Sequence, residues 1–156
     1  MKSNFEIMGE VDYTVEWIDG TKKNFHFKNT ILNNGRRALA NALVNNLEGG
    51  FNYYITQMVW GDGGTSNGVK RVVEASRNGL FGVTRLSKPV VATINETVST
   101  QAIFTAVIKF DDAVGVTLNE MALQMADGDF YSMATFADLN KTSEMQITFN
   151  WKLNII

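Results

Sequence analysis

The sequence predicts a mainly β protein, an antiparallel β-sandwich or jelly-roll-like barrel with one short α-helix, and three observations carry that reading. Apolar and polar residues alternate over long stretches: Met145, Ile147, Phe149, Trp151, Leu153 and Ile155 interleave with Gln146, Thr148, Asn150, Lys152 and Asn154, the pattern of a strand with one buried face. Asp19-Gly20 and Asp127-Gly128 stand between such stretches, and Asp-Gly supplies the left-handed backbone of a tight hairpin turn. Strong helical spacing occurs at one place, so the crossovers of a βαβ arrangement are missing. At 156 residues the chain is expected to be a single domain over 1–156, long enough to bury its own core.

Phe5, Ile7, Val11, Tyr13, Val15 and Trp17 alternate with Glu6, Glu10, Asp12 and Glu16, which predicts a first strand with an acidic outer face. After Asp19-Gly20, Phe25 and Phe27 restart the alternation, so residues 1–28 are expected to form a hairpin able to act as an arm. The helix follows. Asn33 or Asn34 can cap it, Leu39, Ala40, Leu43, Val44 and Leu47 recur at its period, and Gly49-Gly50 stops it. Residues 53–60, YYITQMVW, read as a buried strand running into the glycine-rich segment Gly61, Asp62, Gly63, Gly64, Thr65, Ser66, Asn67 and Gly68. Residues 69–88 fit either a helical turn followed by a strand or an extended arm. PVVATIN, 89–95, reads as one strand, and Val98, Ala102, Phe104, Ala106, Ile108 and Phe110 mark the next. Asp111 to Gly115 turn the chain into the last three strands.

Composition narrows function. There is no cysteine, which removes thiolate nucleophiles, disulfides and cysteine-ligated zinc together. A net charge of -2 with interspersed signs lacks the clustered Lys and Arg of a nucleic-acid footprint. The first seventeen residues have no continuous apolar run, so neither a signal peptide nor a membrane anchor is expected.

Candidate chemical motifs resolve toward structure. Gly63 and Gly68 occupy the two glycine positions of a P-loop, but Val69 stands where lysine must follow and Lys70 is displaced by one, so nucleotide binding is not expected. The segment 61–68 is instead read as an exposed contact loop at the rim of the sheet. Asp127, Asp129, Asp111 and Asp112 suit turns better than calcium, for want of further oxygen ligands at the right spacing. His26 is the single histidine and reads as a surface residue of the second strand, with no second imidazole or thiolate to share a metal. No GxSxG elbow is present, so a small hydrolase would need residues that only the fold brings together. No cofactor and no enzymatic activity are expected. Glu120 lies in the apolar run LNEMALQM; a carboxylate facing a core must be paired, either with an arginine such as Arg36, Arg37 or Arg85 or with backbone amides, making Glu120 a structural anchor.

Four segments taken in order, NNGRRALANAL, MVWGDGGTSNG, NEMALQMADGDFYSMATF and KTSEMQITFNWKLNI, resemble a family of small virion proteins of tailed bacteriophages. The resemblance covers most of residues 30 to 156; the initial hairpin, 5–28, goes beyond the shared segment. It implies a virion structural protein made in the host bacterial cytoplasm; the free-standing single domain, the lack of a fibre-forming repeat and the strand edges then favour a capsid decoration (cement) protein that clamps major capsid subunits on the head. A tail, baseplate or fibre-attachment module, with glycan contacts through exposed aromatics, is the alternative. Partners implied are the major capsid protein, or tail and baseplate proteins. A homo-oligomer is also implied, a trimer by preference because an icosahedral shell offers threefold positions.

Overall fold

The computed structural model describes residues 6–44 and 52–156. Phe5, Leu47 and the Gly49-Gly50 stop signal lie outside them. The strands are β1 (Ile7–Trp17), β2 (Lys22–Lys28), β3 (Thr30–Ile31), β4 (Ile55–Gly61), β5 (Thr65–Ser66), β6 (Val69–Lys70), β7 (Thr84–Pro89), β8 (Val91–Ile94), β9 (Gln101–Ile108), β10 (Thr117–Met125), β11 (Phe130–Asn140) and β12 (Met145–Ile155), with the helix α1 over Asn33–Val44. Two five-stranded sheets are formed, in the orders β2-β1-β12-β9-β8 and β3-β11-β10-β4-β7, and β5 and β6 make a separate two-stranded ribbon. Every strand pairing is antiparallel. The architecture is that of a β-sandwich.

The alternation read from the sequence is what places the core. In β12, Ile147, Phe149 and Trp151 are fully buried, and they join Val11, Tyr13, Val15, Phe104, Ile108, Trp60 and Phe136 in one cluster. Tyr13 stacks on Phe25 and Phe149, with centroids 4.6 and 5.1 Å apart, and Trp60 tilts against Phe149 at 5.2 Å. β12 lies at the centre of the first sheet, paired from Ile7↔Ile155 to Trp17↔Met145 with β1 and from Ile147↔Ile108 to Asn154↔Gln101 with β9.

Four expectations are corrected. The hairpin, from Ile7 to Lys28, is not an arm: β1 is an interior strand, bonded to β12 along its whole length and to β2 on its other side. The acidic outer face of β1 is present and paired. Lys22 lies 4.0 Å from Glu16, His26 sits 3.8 Å from Glu10 and 2.6 Å from Asp12, and Lys152 is 2.9 Å from Asp12.

The helix turns a different face inward from the one its larger residues suggest. Gly35 and Ala38 are its buried residues, because a Cβ at Gly35 would collide with the Tyr131 carbonyl of β11 and only small side chains permit that approach. Leu43 and Val44 stay 83% and 77% exposed. Neither asparagine occupies the capping position, since the Arg36 amide already bonds the Leu32 carbonyl at 3.1 Å.

PVVATIN holds one strand, β8, but its Pro89 is the last residue of β7 in the other sheet. Residues up to Pro89 pair with β4 in the second sheet, and from Val91 onward they pair with β9 in the first. The Val90 amide makes the last bond on the β4 side, to the Thr56 carbonyl at 3.1 Å, and the chain then enters the other ladder.

The ambiguous stretch 69–88 resolves into β6, an irregular strap over 71–83, and β7. Within β4 and β10, Met58, Trp60, Met121 and Leu123 face the sandwich core while Val59 and Ala122 face outward. The strap covers that outward side: Val73, Leu80 and Phe81 pack on Leu32, Val59, Ala122, Phe130 and Met133. The second sheet is thus buried on both faces, which explains why LNEMALQM reads as a nearly continuous apolar run.

Candidate functional site

The glycine-rich segment and Glu120 form one unit. β4 ends at Gly61, and a register irregularity between Trp60 and Gly61 turns the chain out over β10. Glu120 of β10 is 0% exposed. Its Oε1 accepts the amides of Gly63 at 2.9 Å and Gly82 at 2.8 Å, and its Oε2 accepts the amide of Phe81 at 2.8 Å. Of the two kinds of partner expected, backbone amides are the ones found. Arg85 pairs with Asp62 and Arg36 donates to the Ile31 carbonyl, while among the described residues Glu120 accepts from backbone amides. A carboxylate is acceptor-only and has lone pairs for several donors, and the strap presents two successive amides, Phe81 and Gly82, within reach of it.

The neighbouring polar residues repeat the device. Asp62 accepts the Val83 amide at 3.0 Å and Arg85 Nε at 2.6 Å. Asn119 Oδ1 accepts the Gly64 amide at 2.7 Å, and its Nδ2 donates to Thr65 Oγ1 and to Asp138, both at 3.1 Å. Arg71 bonds back through Nε to the Gly63 carbonyl at 3.0 Å, and Thr135 Oγ1 donates to the Arg71 carbonyl at 2.7 Å. Arg77 lies over the Phe81 ring, 3.6 Å from its centroid, the geometry of a cation–π contact. The loop and the strap are thereby tied to β10 and β11 and to each other.

The expected exposed loop is corrected in part. Gly61 and Gly64 are buried and Asp62, Gly63 and Thr65 half-buried, whereas Ser66, Asn67 and Gly68 are exposed. Those last residues form a hairpin between β5 and β6, with φ of 52° at Asn67 and 77° at Gly68, the left-handed pair that a two-residue turn requires. This excludes the P-loop arrangement, which needs a helix starting where the hairpin runs. Gly64 is a close-approach glycine, because a Cβ there would collide with the Asn119 carbonyl and carbon. We expect Gly64→Ala to cost about 1–3 kcal/mol, the usual range for overpacking, measured as a lowered urea midpoint.

The other sequence-predicted groups lie elsewhere. Asp127 Oδ1 accepts the Asp129 amide at 2.9 Å, and Asp112 Oδ2 accepts the Lys109 amide at 2.8 Å while pairing with Lys88 at 2.6 Å, so these aspartates hold turns. Among the described residues no group of three or more His, Cys, Asp or Glu could hold a metal ion, and no helix is long and apolar enough to cross a membrane. Lys141, unremarked in the sequence, is 1% exposed and donates from Nζ to the carbonyls of Phe110 at 3.0 Å and Thr142 at 2.8 Å. Burial holds its amine below the usual lysine value, against the opposing pull of Asp112 and Asp111.

Several aspartates are held below the ordinary value of 3.8. For Asp62 the largest cause is the hydrogen bond from Arg85. For Asp12 and Asp112 burial opposes ionisation, but hydrogen bonds from Lys152 and His26, and from Lys88 and the Lys109 amide, outweigh it. Each carboxylate loses its proton more readily in the folded chain than in the unfolded one. The stability it contributes is therefore fully present above about pH 4 and lost as the pH falls through its lower folded-state value. We expect the urea midpoint to hold steady from about pH 7 to 5 and to fall below about pH 4, and Asp62→Asn to make that fall shallower.

The sequence reading missed Asn119, Asp62 as an anchor, and the strap as their target. The available signal was the Asn119-Glu120 pair inside an apolar strand, together with glycines at 63, 64, 79 and 82, the residue type that lets backbones approach closely. Comparison of the chain with protein-family models, with curated proteins and with solved structures gives no match.

Proposed function

We propose that this protein is a virion structural protein of a tailed bacteriophage and that it acts as a capsid decoration protein, binding neighbouring major capsid subunits and stabilising the head. The observation that carries the reading is the rigid presentation of the Ser66-Asn67-Gly68 tip, anchored from beneath by Glu120 and Asn119. The carboxylate is spent on backbone amides and lies out of reach of solvent. The unit thus serves to hold a surface in shape, and a surface whose backbone is fixed before contact loses little entropy on docking. The resemblance of the four sequence segments to small phage virion proteins supplies the setting. Repetition over a symmetric shell adds avidity, so a small tip at each position is sufficient.

The test is localisation in purified particles by electron microscopy with a labelled copy, together with release of genome on heating. Variants carrying Asn67→Asp, or a Ser66-Asn67-Gly68 tip exchanged for another two-residue turn, are expected to remain folded, to bind heads with reduced occupancy and to leave them less heat-resistant. Label confined to tails, or heads that never bind the protein at any concentration, overturns the reading and puts a tail or baseplate module in its place.

A further inference from the structure

Each five-stranded sheet has two edges, and three of these four are blunted. β2 carries Lys22, Lys23 and Lys28, β7 carries Arg85, Lys88 and Pro89, and β3 is only two residues long. Charges, proline and shortness are the devices by which natural sheets avoid pairing with other chains. β8, Val91-Ala92-Thr93-Ile94, has none of the first two, and all four residues are exposed, Val91 by 67% and Ile94 by 61%.

The direction of its free backbone groups follows from its pairing with β9. Val91 faces Thr105, Thr93 faces Ile103, and beyond the strand the Asn95 amide bonds the Gln101 carbonyl at 2.9 Å. Hydrogen-bonded pairs alternate along an antiparallel ladder, so Asn95, Thr93 and Val91 turn their amides and carbonyls toward β9. Ala92 and Ile94 turn theirs to the open edge.

We infer that this edge pairs with the same edge of a second copy, about a twofold axis through Thr93. That rotation sets Ala92 opposite Ile94 of the second copy and Ile94 opposite its Ala92, so all the outward amides and carbonyls of the strand find partners in one step. A twofold contact of this kind uses the same patch on both copies. Thr93 meets Thr93 across the axis, a favourable cross-strand pair. Ala92 and Ile94 share the face of Phe104 and Ala102, the residues they oppose in β9, so the joined strands prolong that apolar row across the axis. The occupant is a second copy because the strand is complementary to itself and no charge stands on it to reject a like strand.

Four residues a side is far fewer than the ~20–30 of a stable interface. The dimer is accordingly weak and concentration-dependent. The pairing stands independently of the virion reading and of any threefold arrangement on a shell.

Sedimentation equilibrium of the pure protein over a concentration series tests it, with hydrogen exchange read at the Ala92 and Ile94 amides. The mass is expected to rise toward two chains, and the two amides to gain protection together with it. Thr93→Lys places like charges face to face across the axis, and Ala92→Pro removes an amide that the isolated chain does not use. Both are expected to keep the thermal midpoint of the wild type at low concentration and to weaken association by about tenfold or more. A wild type that stays monomeric throughout overturns the inference. So does a dimer that neither folded variant weakens, and so does protection of the two amides only in particles, which would mark a foreign strand as the occupant.

Discussion

Trp151→Ala is expected to lower stability by about 3–5 kcal/mol, the range for deleting a buried aromatic side chain from a core. Trp151 is 0% exposed and stands in the central strand of the first sheet, flanked by Val11 on β1 and Phe104 on β9. The upper part of the range applies because the site has no way to collapse. Both flanking strands are fixed by ladders that run well past the cavity in each direction, and the second sheet presses from below. Urea unfolding monitored by circular dichroism measures it; a loss under about 1 kcal/mol would mean that the side chain does not fill the space described. Trp151→Phe is expected to cost much less, since the indole N–H has no hydrogen-bond partner among the described residues and its removal forfeits none.

Glu120→Ala is expected to be comparably severe, by a different mechanism. It strips the acceptor from three amides at once, those of the half-buried Gly63 and Phe81 and of the more exposed Gly82, and an orphaned donor shut off from water costs about 1–3 kcal/mol. Glu120→Gln separates the parts. The retained carbonyl can serve Gly63 and Gly82, while the new amide group points its protons at the Phe81 amide, so an intermediate loss is expected. Hydrogen exchange localises the effect: amides of the strap should lose protection before those of β12. Equal exchange rates in wild type and Glu120→Ala would show that the carboxylate does not hold the strap.

What was legible in the sequence was whatever depends on period and turn chemistry. The alternation of β1, β9 and β12 gives their inward faces residue by residue, and Asp127-Gly128 marks a turn whose glycine has φ of 94°. The burial of Glu120 was legible too, because an acid within LNEMALQM has no wettable face to occupy. Its partners were not. They come from residues some 40 and 57 positions away in the chain, and an amide is carried by nearly every residue, so nothing in the composition of the strap distinguishes Phe81 and Gly82 as donors. An arginine is conspicuous in a sequence and a backbone amide is not. The helix misled for a related reason. Its large apolar residues set the apparent face, but the approach of α1 to β11 is governed by Gly35 and Ala38, whose contribution is the absence of side-chain bulk. The change of sheet was hidden because PVVATIN reads as one stretch, although its Pro89 is the last residue of the polar strand β7 and only Val91 to Ile94 belong to β8.

The position of β12 also governs the order in which the molecule can form. Val11 finds Trp151 nearly a whole sequence away, and β9 has no inner neighbour until β12 arrives. During synthesis the β1–β2 hairpin must therefore wait, with Val11, Tyr13 and Val15 turned to water, until the last strand has left the ribosome. The second sheet has no such constraint among β10, β11 and β4, whose partners are all present earlier. Long-range pairing of this kind makes folding slow and leaves apolar surface open to misassembly in the interval. Refolding should accordingly show the strap and second sheet protected first and the β1–β12 ladder last, with the yield of soluble chain decided in between.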